Sequence, residues 1–151
     1  FKSDDIQGHQ RYLGYLAAMR DAGLPIPDDR VLWYTTEERR YLLDYGHNDL
    51  LNHFIQFYLK DCTAVICYND EIADRIIRML LGSGHRVPAD TAVVSFDNSY
   101  YSDLCPVRIT SLAHEAHRLG SIAAELLLER MAGRQVESQS ITWRLIQKES
   151  S

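Results

Sequence analysis

Three cysteines are all that this 151-residue chain contains, Cys62, Cys67 and Cys105. An odd, irregularly spaced set argues against a disulfide framework and points to a reducing, cytoplasmic setting. Cys67 falls inside an apolar run, where a cysteine serves as a small hydrophobe. No catalytic or metal role is expected for any of the three. Long apolar runs are missing as well. No stretch approaches the roughly 20 residues of a membrane span, and no basic start followed by an apolar stretch marks a secretory leader. No membrane partner is therefore expected. Positive charge is scarce: 16 Lys and Arg against 21 Asp and Glu leave a formal charge of −5. Phosphate binding needs clustered Lys and Arg, whereas Arg39 and Arg40 follow directly on Glu37 and Glu38. Nucleic acid is not expected on this chain's own surface. Neither a G-x-S-x-G elbow nor a glycine-rich phosphate loop occurs, so nucleophilic catalysis has no motif to rest on. The chain is not expected to be an enzyme or to carry a cofactor. His114 and His117 have the spacing of a metal pair but no third ligand, and no metal site is expected.

What the chain does have is concentrated between Ala64 and Asn98. Ala64 to Tyr68 is a short apolar run with a β-branched centre, followed by Asn69 and Asp70. Ile72, Ile76 and Leu80 then recur every four residues, with Ala73, Ile77 and Leu81 beside them, and this stripe predicts a helix. Gly82 and Gly84 supply its stop. Thr91 to Phe96 is the next apolar run, ending in Asp97 and Asn98. Two strands joined by one helix lie parallel with a right-handed crossover. Both polar tips therefore fall on one edge of a sheet, the carboxyl edge where open parallel sheets bind ligands.

The rest of the chain continues the alternation. Ser3-Asp4-Asp5 offers cap chemistry for a helix over Ile6 to Ala22, closed by Gly23. Pro25 and Pro27 mark a turn, Val31 to Thr35 reads as a strand, and Thr36 to Gly46 as a polar loop or helix start. Leu50, Leu51, Phe54, Ile55, Tyr58 and Leu59 give another helical stripe. Ser99 to Arg108 is a loop, and Ile109 to Ala113 a short strand. Leu119, Ile122, Leu126 and Leu127 define a long helix ending at Gly133. Ser140 to Gln147 alternates like a terminal strand. This order is that of an α/β sheet. It opens on a helix where a doubly wound sheet opens on a strand, so a strand before Phe1 is expected to be missing, leaving an unpaired edge or a gap.

At the carboxyl edge, Asp97 can accept from two hydroxyls of a small-molecule ligand, or serve a turn. Asn69 can bridge a donor and an acceptor, or cap the following helix. Asp70 reads as that cap, favoured by the helix dipole. Arg11, in the first turns of the opening helix, can donate in a fork. Tyr34 and Glu37 follow another strand tip, where an aromatic ring can stack on a ligand's apolar face or simply pack.

The phrase CYNDEIADRIIRMLLGSGHRVPADTAVVSFDNS closely resembles the pattern of a strand ending in N-D, a helix, then G-x-x-V-P-x-D-x-x-V-V-G-[FY]-D-[DN]. That is the effector-binding core of LacI/GalR-type transcriptional repressors, a periplasmic-binding-protein-like fold. Arg11-Tyr12-Leu13-Gly14-Tyr15 resembles the family's R-x-x-G-[YFW]. Ile109-Thr110-Ser111-Leu112 with His114, then Leu119-Gly120, resembles its L-T-T/S-[VI] … L-G segment. FKSDDIQG and CYNDEIA look closest to arabinose-responsive repressors, which join a GntR-type winged-helix head to a LacI-type sensor. One position departs from the pattern: Ser95 stands where Gly is usual.

The resemblance implies an α/β sensor with a parallel sheet flanked by helices, of which this chain supplies only part. Residues 1–110 would be most of the C-terminal subdomain, 111–135 a helix crossing to the N-terminal subdomain, and 136–151 a returning strand. It implies a sugar effector, L-arabinose first, held by Arg11, Asn69, Asp97, Tyr34, Glu37 and His114. It implies a homodimer through the helix after N-D, with Asp74, Arg75 and Arg78 on its polar side and Ile77 and Leu81 extending an apolar seam. Operator DNA would be met only through a head outside this chain. An extracytoplasmic sugar carrier of the same fold, and an α/β enzyme acting on sugars, are the competing readings.

Overall fold

A computed structural model describes residues 1–26, 30–45 and 49–151; Pro27, read above as marking a turn, and Gly46, the end of the segment read as a polar loop or helix start, lie outside them. Helix α1 (Ile6–Asp21) is followed by α2 (Thr36–Tyr45) and α3 (Asp49–His53), which runs on as a wider π-helical turn over Phe54–Tyr58. Strand β1 (Ala64–Ile66), helix α4 (Asp70–Gly82), strand β2 (Ala92–Phe96), short helix α5 (Tyr101–Leu104) and strand β3 (Thr110–Ala113) form the middle. Helix α6 (Ala116–Met131) and strand β4 (Arg144–Ile146) close the chain. The sheet order is β1-β2-β3-β4. Val65 faces Val93 across a parallel pair, and Ser95 faces Ser111 across a second. Strand β4 runs antiparallel, Leu112 opposite Leu145, so the sheet is mixed rather than parallel throughout. β4 is also shorter than the alternation over Ser140 to Gln147 suggested, because β3 offers it only a four-residue edge.

Helix α4 forms where the apolar stripe predicts it. Asn69 takes an extended backbone and its side chain accepts the Ile72 amide at 3.1 Å, so Asn69 is the N-cap, a role the sequence had suggested for Asp70. Ile72, Ala73, Ile76, Ile77 and Leu80 enter the core with Val65, Cys67, Val93 and Ile109. Full burial of such side chains contributes about 1.5–3 kcal/mol each. The buried arc is wide enough to take Ile77, at 0% exposure, and Asp74, whose carboxylate holds Arg78 at 2.9 Å. Of the residues expected at an intermolecular seam, Ile77 and Asp74 are buried within this chain, Arg78 and Leu81 are exposed and Arg75 is half-buried.

Val31 to Thr35 does not form a ladder. It makes one parallel bridge, Lys2 to Tyr34, in which the Phe1 amino group donates to the Leu32 carbonyl at 2.6 Å and the Ser3 amide to the Tyr34 carbonyl at 2.9 Å. Between this segment and β1 lies a cavity of about 470 Å³ lined by Phe1, Leu32, Tyr34, Val65, Cys67 and Phe54 among others. Burial there lowers the Phe1 amino group to about 6, and pushes the Cys67 thiol up to about 12.

At the other end the tail clips back onto the sheet. Ser150 accepts from the Val93 amide at 2.7 Å through its carbonyl and from the Thr110 amide at 2.8 Å through Oγ, while its own amide donates to the Arg108 carbonyl at 3.0 Å.

Candidate functional site

Three strands deliver their following residues to one edge: Asn69 after β1, Asp97 after β2 and His114 after β3. Helix α1 brings Arg11 to the same place. Its start is set by Asp5, which caps the helix by accepting the Gly8 amide at 2.6 Å. Gly8 cannot carry a side chain, because a Cβ there would stand 1.9 Å from the Lys2 carbonyl oxygen. The Asp5 carboxylate also accepts the Tyr68 hydroxyl at 2.7 Å and pairs with Lys2 at 2.8 Å. Burial pulls its pKa upward, but the bonds from Lys2, Gly8 and Tyr68 outweigh that and hold it at about 2. Burial, then the bond to Asp5, push the Tyr68 phenol up to about 12, so it stays a donor at neutral pH.

Arg11 donates through Nη1 to the Tyr68 carbonyl and through Nη2 to Asp97 Oδ1 at 3.0 Å. Its guanidinium lies 4.5 Å from the ring centres of both Tyr68 and Phe96, and 6.0 Å from that of Trp143. Each such contact adds roughly 0.5–2 kcal/mol of cation–π attraction. Among the described residues Asp97 Oδ2 accepts no hydrogen bond and Asn69 Nδ2 donates none. His114 Nδ1 and the Tyr34 hydroxyl are buried without a hydrogen-bond partner among the described residues. Trp143 covers this corner, 5.1 Å from His114 and edge-on to Phe96 at 6.2 Å. The pairing of Ala113 with Arg144 is what brings Trp143 alongside His114.

The turn that presents Asp97 has unusual backbone: φ is +97° at Asp97 and +46° at Asn98. Its amides are held one after another. Asp97 donates to the Leu112 carbonyl at 2.8 Å, Asn98 to Ser111 Oγ at 3.0 Å, and Ser99 to Asp70 Oδ2 at 2.5 Å. Asp70 itself is fully buried beneath the edge.

Of the residues expected here from sequence, Arg11 and Asp97 meet directly, and Asn69 and His114 share their edge. Tyr34 does not. Its ring is 5% exposed and packs edge-on to Tyr68 at 6.2 Å, inside the core, where burial raises its phenol above the ordinary tyrosine range. Of the two readings given for it, the structure shows packing. Glu37 is exposed on the first turn of α2, with no hydrogen bond to the Arg11–Asp97 pair. The glutamate with a defined role is its neighbour. Glu38 accepts from Thr35 N and Oγ at 2.7 and 2.9 Å while Thr35 Oγ accepts the Glu38 amide, a capping box at the start of α2. Sequence reasoning missed the aromatic walls, Tyr68, Phe96 and Trp143. Their only signal was position, immediately at or beside strand ends.

The apolar cavity beside β1 is a different place, lined largely by hydrophobic side chains, and lacks the convergent polar groups that fix a ligand's orientation. No group of three or more His, Cys, Asp or Glu residues capable of holding a metal occurs among the described residues.

Comparison with known proteins places this geometry in context. The model of the periplasmic binding protein-like domain matches residues 2–151. The chain is 31% identical over 138 residues to the arabinose metabolism transcriptional repressor of Geobacillus stearothermophilus, covering 91% of this chain and 37% of that protein. It is 30% identical over 128 residues to the protein of the same name from Halalkalibacterium halodurans, covering 85% and 33% respectively. It thus spans about a third of the length of these relatives. Among solved structures, a transcriptional regulator CelR–cellobiose complex superposes with a TM-score of 0.79 at 26% identity, over 99% of this chain and 44% of that one. Transcription regulator CcpA of Lactococcus lactis shares the fold with a TM-score of 0.77 at 21% identity, over 99% of this chain and 53% of that one.

Proposed function

Because this chain belongs to the periplasmic binding protein-like domain family, we propose that it is part of the sugar-sensing module of a transcriptional repressor, with L-arabinose as effector. The observation that carries this reading is the Arg11–Asp97 pair at the carboxyl edge of three parallel strands, walled by Tyr68, Phe96 and Trp143. Vicinal hydroxyls each donate and accept. Asp97 Oδ2 accepts, the remaining Arg11 N–H groups and Asn69 Nδ2 donate, and His114 Nδ1 completes the set. The indole of Trp143 offers an apolar face to the sugar's C–H side. Two relatives named as arabinose metabolism repressors support the choice of sugar.

In this reading residues 1–110 form one wall of a cleft, the helix over 111–135 belongs to the opposite wall, and 136–151 return to the first. Sugar binding between the walls shifts the population of two arrangements, which requires a different affinity for each. DNA is contacted by a head outside these residues, and two copies pair near the exposed residues of α4, including Arg78 and Leu81. The 151 residues alone bind sugar weakly, since one wall is largely absent.

The test is calorimetry with L-arabinose on the longer protein that carries this sequence. Asp97→Ala and Arg11→Ala each remove charge-assisted hydrogen bonds worth roughly 1.5–3 kcal/mol, so affinity falls at least about tenfold while the fold persists. Unchanged affinity in both variants sinks the assignment.

A further inference from the structure

Asp70 is 0% exposed, yet it is surrounded by donors rather than by apolar side chains alone. Ser95 Oγ and Ser111 Oγ both donate to Oδ1, the latter at 2.6 Å. Ser99 donates twice to Oδ2, through its amide at 2.5 Å and its hydroxyl at 2.9 Å. An ionised carboxylate has about four acceptor sites, and here all four are filled. The donors come from β2, from β3 and from the turn after β2, while Asp70 itself opens α4, whose amino-terminal dipole favours its charge. One buried carboxylate thus ties α4 to β2, to β3 and to the turn after β2.

The turn it clamps is the strained one. A positive φ at Asp97 and Asn98 is backbone that side chains with a Cβ adopt only when their surroundings enforce it. The enforcing bonds lead back to Asp70. It holds the Ser99 amide directly, and it fixes Ser111 Oγ, which accepts the Asn98 amide at 3.0 Å. We propose that Asp70 is the positioning residue of the ligand edge: acting through Ser99 and Ser111, it holds Asp97 and Asn98 in the left-handed region and so aims the Asp97 carboxylate at Arg11 and at the ligand. Asp70 touches no ligand in this arrangement. The ligand half of the proposal rests on the sugar-sensing reading; the backbone half does not.

The experiment separates the two halves. In the isotope-labelled 151-residue chain, a positive φ gives a strong intraresidue amide–Hα nuclear Overhauser signal at Asp97 and Asn98. Asp70→Asn and Ser111→Ala are expected to abolish it, and Ser111→Thr, which keeps the hydroxyl, to restore it. In the longer protein the first two variants weaken L-arabinose binding about tenfold or more, the loss of one to two charge-assisted bonds, and Ser111→Thr recovers it. Leu80→Ala, a core change on the same helix, lowers the melting temperature and leaves both signals intact. If Asp70→Asn does not fold, Ser111→Ala with its rescue decides. Persistence of the Overhauser signal in Ser111→Ala, or its equal loss in Leu80→Ala, overturns the proposal. Loss of the signal in a protein whose unmutated form ignores arabinose supports the positioning role and removes the sugar reading instead.

Discussion

Helices α4 and α6 each carry an apolar stripe, far more sharply segregated on α4, and they meet opposite fates. Each follows a strand of the same sheet, and each is closed at or near a glycine. Yet α4 buries Ile72, Ala73, Asp74, Ile76, Ile77 and Leu80, while α6 has no buried residue at all. Leu119, Leu127, Leu128 and Met131 stand 49–75% exposed along α6. The middle of the chain, from β1 to β3, supplies most of the buried core, although Ile66, Tyr100 and Leu104 stay exposed. The ends supply less: α6 has no buried residue, and a cavity lies between Phe1, Leu32 and Tyr34 on one side and β1 on the other. Periodicity thus specifies which face of a helix is apolar and is silent on what covers it.

The sharpest way to break this contrast is to shorten one side chain on each helix. Ile77→Ala is expected to cost about 2–5 kcal/mol, the range for deleting a buried aliphatic side chain, whereas Leu127→Ala stays within about 0.5 kcal/mol, as for surface positions. Urea unfolding of both variants measures it, and equal losses would mean that α6 is covered in solution.

Association tests the uncovered face directly. Exposed leucines favour burial by about 1.5–3 kcal/mol each, so the 151-residue chain is expected to form at least a dimer at micromolar concentration. Leu128→Asp should shift it toward monomer by about tenfold or more in sedimentation equilibrium. A monomeric parent chain would remove the premise.

The amino-terminal end has its own signature. The Phe1 amino group is lowered from its ordinary value near 8 to about 6 by burial. Between those values the unfolded chain binds a proton that the folded chain does not. Stability is therefore full above pH 8 and is lost as pH falls toward 6, by at most about 3 kcal/mol at 1.36 kcal/mol per unit. Thermal melts from pH 8 to 6, run with and without acetylation of that amine, isolate the effect. A slope unchanged by acetylation would show that the amine is not buried.

Much of this was legible in the sequence, and the failures have physical causes. The β1–α4–β2 unit was readable because strand, cap, stripe and glycine stop all agreed over Ala64 to Asn98. Asp97 could be placed at the edge because a parallel sheet sends its strand tips one way, whereas Arg11, on α1, was named through its match to R-x-x-G-[YFW]. Tyr34 was not readable: an aromatic at a strand tip packs inward or outward according to which neighbour offers a ring, and Tyr68 offered one. The cap fell to Asn69 rather than Asp70, since both suit a helix start. Only the four hydroxyl and amide donors beneath the edge decide which of the two turns inward. Ile77 is buried within this chain since a helix flanked on two sides buries a wider arc than a single stripe suggests.

The clip formed by Ser150 gives α6 a property that neither its sequence nor its exposure conveys. Strands β3 and β4 lie side by side, and Thr110 is joined to Ser150, 40 positions along the chain. The long helix is therefore an excursion from the sheet that returns to its own starting point, a hairpin with an outsized loop. Closure entropy grows only with the logarithm of loop length, about 0.6 kcal/mol per doubling. The helix is in effect a payload on a tether fastened at both ends. It can be carried to a distant surface, or the tether lengthened, at a cost small beside the hydrogen bonds that hold the fastening.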